Sequence, residues 1–219
     1  MRKIDDEQRD VMRTSYAKKL MNVMRTQGFS KMTIQDMAQL MNVSKATLYN
    51  YFSSKEEIIQ KVGEVFTDYM QEVDETLLNI EFSYTYRFQK VFQQGALSAI
   101  YTSGIFMRDL RQSCPDIYQE IIAGRKQRQE HIKEFYEDGI KEGVFHSINP
   151  ALLIMQDETA FKRLLNPVFL MEEGLSVKKA LYDYYEMKKI QLIKPEIIQT
   201  MDDGPMEELI GYILKKMQA

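Results

Sequence analysis

Thr33-Ile-Gln-Asp-Met-Ala-Gln-Leu-Met-Asn-Val-Ser-Lys-Ala-Thr-Leu-Tyr-Asn-Tyr-Phe-Ser-Ser-Lys55 decides how this chain is read, because it spells two short helices across a tight turn and the start of a third. Thr33 is placed to cap the first helix with its hydroxyl on the Asp36 amide, while the Asp36 carboxylate sits in the positive first turn and reaches back to the Thr33 N–H. Ile34, Met37, Ala38 and Met41 fall at i, i+3, i+4, i+7, the spacing of one buried face. Asn42 follows where the chain must turn, and asparagine tolerates left-handed backbone angles. Val43 plugs the corner, and Ser44 caps a second helix predicted from Lys45 to about Tyr51. Leu48 and Phe52 point inward at i, i+4, which leaves Lys45, Ala46, Thr47, Tyr49 and Asn50 outward. Two helices across a short turn, the second carrying hydrogen-bonding groups near its N-terminus, match the helix-turn-helix geometry that inserts a helix into the DNA major groove.

These residues also carry a family likeness. Val43-Ser44, Thr47-Leu48-Tyr49, Tyr51-Phe52 and Ser54-Lys55-Glu56, within a stretch from Tyr16 to Val62, resemble the N-terminal motif of the tetracycline-repressor (TetR) family of bacterial transcriptional regulators. Beyond Val62 the likeness is limited to length and helical pattern. Asn42 stands where glycine is common in that family, Met24 where an aromatic is common, and Lys19-Leu20 where two small residues pack; none of these lies on the expected DNA face.

Composition narrows the class. The chain has 219 residues, 44% hydrophobic and 28% charged, enough for a full core or for one small and one larger domain. No apolar run approaches the ~20 residues that span a bilayer, and Met1-Arg-Lys-Ile-Asp-Asp-Glu7 lacks the apolar segment of a signal peptide, so a cytoplasmic protein without membrane partners is expected. One cysteine, Cys114, leaves no internal disulfide framework or cysteine-based zinc site. Net charge is −3, but residues 1–61 hold 11 Lys+Arg against 7 Asp+Glu and the remaining 158 hold 18 against 25. A basic head on an acidic body suits phosphate binding at one end only.

Outward from the motif the pattern is helical throughout. Asp6 to Gln27 reads as a helix, with Val11, Leu20, Val23 and Met24 among its apolar positions, Gly28 as its left-handed stop and Phe29 packing back on its end. Ser54-Lys-Glu-Glu57 reads as a capping box opening a long helix with Ile58, Ile59, Val62, Phe66, Tyr69, Met70, Val73 and Leu77 on helical spacing. Further helices are expected at about 84–102, 105–111, 115–141, 150–165 and 176–193. A last one opens at Gly204-Pro205, with Met206, Leu209, Ile210, Ile213, Leu214 and Met217 on one face. The fold class is all-α: an N-terminal helix-turn-helix DNA-binding domain, residues 1–60, and a helical effector-binding and dimerisation domain, residues 61–219.

By resemblance, Gln35, Lys45, Ala46 and Tyr49 read base edges, and the donor–acceptor chemistry agrees: lysine donates to guanine, glutamine pairs with adenine, and Ala46 or the Tyr49 ring touches a thymine methyl. Thr33, Thr47, Asn50, Tyr51 and Lys55 match positions that hold phosphates, and Ser44 completes the set as the cap of the reading helix. The competing reading is a solvated helix face. The resemblance also implies a pocket in the helical body; its aromatic candidates are Phe88, Phe92, Tyr101, Phe106, Tyr118, Phe135, Tyr136 and Phe161, suited to an apolar or aromatic effector or serving simply as core. It further implies a homodimer formed through the 150–165 and 176–193 segments.

Enzymatic signatures are missing. His131 and His146 lie on different predicted elements, and His131 with Glu134 falls short of the three protein ligands a catalytic zinc needs. There is no Gly-rich phosphate loop and no Gly-x-Ser-x-Gly elbow, so neither a metal, a cofactor nor an enzyme is expected. Cys114, before Pro115, is a candidate thiolate at a helix N-terminus, with a packed thiol as the plainer reading. The sequence points to a ligand-responsive regulator, a repressor released from a near-palindromic operator by a small apolar effector. The alternative is a helical DNA-binding or protein-interaction module without an effector.

Overall fold

A computed structural model describes residues 6–218, with residues 69–74 and 218 described in backbone only. Among them run twelve helices: α1 Asp6–Gln27, α2 Ile34–Met41, α3 Lys45–Tyr49, α4 Lys55–Leu78, α5 Tyr84–Tyr101, α6 Gly104–Ser113, α7 Pro115–Lys141, α8 Pro150–Leu164, α9 Pro167–Glu172, α10 Val177–Leu192, α11 Pro195–Ile198 and α12 Gly204–Gln218. The only extended pairing among the described residues is an isolated antiparallel bridge between Phe145 and Ile193. The fold is all-α, as its periodicity requires. The short helices α9 and α11 are not foreshadowed by any apolar stripe; each starts on a proline whose fixed φ favours a first turn.

The chain divides into two compact units, one running to Met70 together with Tyr101–Gly124, the other comprising Gln71–Ile100 and Arg125–Gln218. In the first unit Tyr16, Ala17, Leu20 and Met24 of α1, Met37, Ala38 and Met41 of α2, Leu48, Phe52, and Ile58, Ile59 and Val62 of α4 close one core with Phe106 and Leu110 of α6. Val11 departs from expectation: it is 64% exposed, because the stripe that meets the core runs through Tyr16, Ala17, Leu20 and Met24. The Ser54–Glu57 box is also altered. Ser54 Oγ does accept from the Glu57 amide at 3.2 Å, but the Glu57 carboxylate returns to Ser53, taking its N–H at 2.6 Å and its hydroxyl at 2.8 Å. The side chains expected on the α4 stripe at Tyr69, Met70 and Val73 lie outside the described residues.

The second unit is built on stacked aromatics. Phe92 meets Phe161 edge-on at 5.0 Å and Tyr185 at 5.4 Å, and Phe161 in turn meets Tyr184 edge-on at 5.3 Å. Gly95 makes the notch for this cluster, since a Cβ there would stand 2.4 Å from the Phe161 ring. Along α5 and α7, the Arg87 guanidinium lies over Tyr84 at 4.3 Å and Phe135 at 5.2 Å, and Phe135, Tyr136 and Phe145 contact one another. A buried polar knot accompanies them: Asp157 accepts from Tyr184 Oη at 2.6 Å and pairs with Lys188, whose side chain is 1% exposed, at 3.1 Å. Leu152 and Met155 of α8, Val168 and Met171 of α9, and Met187 and Ile190 of α10 are by contrast exposed apolar side chains.

Candidate nucleic-acid interface

The ends of α2 and α3 are set by local chemistry. Thr33 is extended, its hydroxyl accepts from the Asp36 amide at 3.2 Å, and the Asp36 carboxylate takes both the Thr33 N–H and its hydroxyl at 2.8 Å, which holds that carboxyl below its ordinary range. Asn42 ends α2 in the left-handed region, φ 60° and ψ 44°. Its glycine-like role needs no glycine. Ser44 Oγ caps α3 by accepting from the Thr47 amide at 3.0 Å, and its hydroxyl pairs with that of Thr47 at 2.8 Å.

Five residues of helix cannot hold themselves in water, so α3 depends on its supports. Leu48 and Phe52 are each 1% exposed. From α1, the Arg13 guanidinium sits 5.0 Å over the Phe52 ring, Tyr16 meets Tyr51 edge-on at 5.3 Å, and Arg9 Nη2 donates to the Tyr51 carbonyl at 3.4 Å. Lys61 of α4 pairs with Asp10 at 2.7 Å, tying the N-terminal half of α1 to α4. Burial pushes the Lys61 ammonium down, but Asp10 and Glu64 outweigh it and hold the group above the usual lysine value.

Lys45, Ala46, Tyr49 and Asn50 are exposed on one surface of α3, and Gln35 is exposed on α2. The Lys45 ammonium lies 5.8 Å from the Tyr49 ring centroid. Thr47 and Tyr51 are half-buried, and Thr33 is exposed but spends its hydroxyl proton on Asp36. Lys55 is differently engaged from the other nine. Its ammonium donates to the carbonyls of Phe29 at 3.0 Å, Ser30 at 3.3 Å and Met32 at 2.6 Å.

Asp109, on α6, escaped sequence reasoning. It is 3% exposed, and its Oδ2 accepts the N–H groups of Phe29 at 2.7 Å and Ser30 at 2.9 Å. Gly28 permits this approach: its φ is +74°, and a Cβ would stand 2.5 Å from that oxygen. Only the glycine stop hints at such a neighbour, and nothing in the sequence says that it lies 80 residues away.

The other sequence candidates fall in packed interiors. Phe106 is buried in the first unit, with Tyr101 and Tyr118 packed against the same core, whereas Phe88, Phe92, Phe135, Tyr136 and Phe161 are buried in the second. Cys114 ends α6 and directly precedes Pro115, the first residue of α7, with its carbonyl accepting the Tyr118 N–H at 3.1 Å, so it does stand at a helix N-terminus; its side chain is buried, and burial pushes the thiol up, with the Glu56 charge adding to that. Among the described residues no cluster of three or more His, Cys, Asp or Glu has metal-holding geometry, and no helix is long and apolar enough to cross a membrane.

Residues 18–62 match the family described as bacterial regulatory proteins, tetR family. No curated protein matches the sequence at a significant level. Among solved structures, the ketosteroid transcriptional regulator KstR2 of Mycobacterium tuberculosis is 17% identical, with a TM-score of 0.61 over 83% of this chain and 95% of its own. AibR in complex with isovaleryl coenzyme A and operator DNA is 14% identical, with a TM-score of 0.58 over 80% and 97%. A chain described as superantigen pfit is 16% identical, with a TM-score of 0.59 over 83% and 89%. The fold is therefore that of the TetR-type all-α regulators, with the family match confined to the helix-turn-helix head. At such identities a shared fold does not carry function, which has to be argued from the site.

Proposed function

We propose that this protein is a ligand-responsive DNA-binding transcriptional regulator acting as a homodimer. The observation that carries the reading is α3: a Ser44-capped helix locked from behind by Leu48 and Phe52, presenting Lys45, Ala46, Tyr49 and Asn50 to solvent beside Gln35 of α2. These are groups that read base edges, on a helix too short to serve as scaffold. Thr33, Ser44, Thr47 and Tyr51 flank them as candidates for phosphate contact. Two heads on a dimer would bind successive major grooves of a near-palindromic site, ~34–36 Å apart.

The exposed apolar side chains of α8, α9 and α10 support the dimer. A shallow recess of about 360 Å3 beside Met187, lined by Ala160, Leu164, Leu175, Ala180 and Tyr184 together with the charged Arg163 and Asp183, is the sort of surface a second copy covers. The aromatic interior of the second unit, with Phe88, Phe92, Phe135, Tyr136 and Phe161, is where an apolar or aromatic effector would lodge. Its binding would release DNA, making the protein a repressor. AibR, of the same fold, was solved in complex with isovaleryl coenzyme A and operator DNA, so a small molecule and DNA are both ligands that this fold can take.

Selection of bound sequences from a random double-stranded DNA pool tests the reading. The expected product is a site with two inverted half-sites, bound tightly enough that a mismatch in either costs about 1–3 kcal/mol. Enrichment of no sequence, with affinity governed by salt alone, would support the module without sequence choice or effector and overturn the regulator.

A further inference from the structure

We infer that Lys55 and Asp109 are positioning residues for DNA reading: from opposite sides they clamp the Phe29–Met32 connection, and Lys55 acts on its own backbone instead of on a DNA phosphate. The inference rests on the DNA-reading function proposed above.

Gly28–Met32 is all that separates the end of α1 from the Thr33 cap of α2, and Phe29–Met32 is the part of it that is clamped. Asp109 takes the N–H groups of Phe29 and Ser30, Lys55 takes the carbonyls of Phe29, Ser30 and Met32, and the Met32 N–H closes on the Phe29 carbonyl at 3.1 Å. A negative charge thus faces the N–H side of the connection and a positive charge the carbonyl side, so the peptide dipoles are held between them. The Phe29 ring, fully buried against Phe106 at 5.9 Å, anchors the same segment to α6.

The stoichiometry of Lys55 excludes a second role without a cost. An ammonium has three N–H donors, and all three have carbonyl acceptors here. Lys55 is also the first residue of α4, where the helix dipole disfavours a cation; the three carbonyls supply the negative field that makes the position tenable. Reaching a phosphate would break the connection that sets where α2 begins. Since α3 packs on α2 and is too short to orient itself, a slack connection would disorient the reading surface.

The test uses the full chain and a site selected by the wild type, comparing wild type with Lys55→Met, Lys55→Arg and Asp109→Asn. Amide exchange without DNA should accelerate at Phe29, Ser30 and Met32 in Lys55→Met and Asp109→Asn while the central amides of α4 stay protected. Binding to the selected site should fall by tenfold or more in all three variants, with the slope of affinity against salt unchanged. Arginine should rescue poorly, because its longer, planar guanidinium does not fit the place where a compact ammonium meets three carbonyls of one tight segment, whereas it satisfies a phosphate well. A phosphate ligand gives the opposite result: exchange unmoved, rescue by arginine, and a salt slope reduced in Lys55→Met by about 2 for the two heads of a dimer. That outcome overturns the clamp. A purely structural role, also against the inference, would lower the unfolding midpoint but leave the folded variants' affinity for the selected site intact. If the wild type selects no sequence, the DNA-reading function fails first and the positioning role with it, while the exchange data still show whether the clamp holds the segment.

Discussion

Replacing Gly95 by alanine should destabilise this protein, against the usual effect of that change in a helix. Alanine in place of a mid-helix glycine gains about 0.8–1.0 kcal/mol. At Gly95, however, the new methyl would stand 2.4 Å from Phe161 Cε2 and 2.9 Å from its Cδ2, and the ring cannot swing aside because Phe92 packs on it at 5.0 Å and Tyr184 at 5.3 Å. Overpacking of that kind costs about 1–3 kcal/mol, so a net loss of about 1 kcal/mol is expected. Shortening the ring should reverse the sign: in a Phe161→Leu background, Gly95→Ala should recover most of the helix gain and stabilise. Urea unfolding of the four proteins at one fixed concentration gives the cycle, the fixed concentration removing any shift from dimer dissociation. If Gly95→Ala stabilises equally in both backgrounds, the notch is not what requires glycine and the packing argument is wrong.

Other expected outcomes concern the head and the buried charges. Lys45→Ala and Tyr49→Ala should leave unfolding unchanged and weaken a selected operator by about 1–3 kcal/mol each, with non-specific binding much less affected for Tyr49; titration of selected and scrambled DNA checks this. Asn42→Gly should hold or raise stability, and Asn42→Ala should cost about 1 kcal/mol in thermal unfolding, because only the first relieves the left-handed φ of 60°. Burial pushes the Asp109 carboxyl up, but the N–H groups of Ser30 and Phe29 outweigh it and hold the group below its ordinary range. The stability it contributes is therefore complete above the unfolded carboxyl value of about 3.9 and is lost as pH falls through the lower folded one. Asp109→Asn should flatten that acid limb of a pH-dependent unfolding series. Asp157→Ala, which strands the Lys188 ammonium in the interior, should cost about 3–5 kcal/mol, and adding Lys188→Met should restore much of it; an unchanged midpoint in the single variant would show the pair to be solvated.

What the sequence determined by itself is local. The Thr33 and Ser44 caps, the left-handed Asn42, the Gly28 stop and the apolar spacing of each long helix are written within four or five residues of one another, which is enough to place the helices, although one as short as α3 persists only on its tertiary supports. Helix ends accordingly fell within a residue or two of the structure, and the exposed surface of α3 could be read from the inward pair Leu48 and Phe52. The corrections arise where a side chain's partner is distant or a neighbour competes. Val11 is exposed because other positions of α1 meet the core, and Glu57 returns to Ser53 instead of Ser54 while also pairing with Arg13 at 2.7 Å. Only tertiary structure could assign Phe106 to the core of one unit and Phe161 to the other, since both look alike as aromatics on helical spacing. Only tertiary structure brings Asp109 to Phe29 across 80 residues and commits the Lys55 ammonium to three carbonyls. A charge shows in the sequence, but the groups that satisfy it are chosen by packing, which no local periodicity encodes.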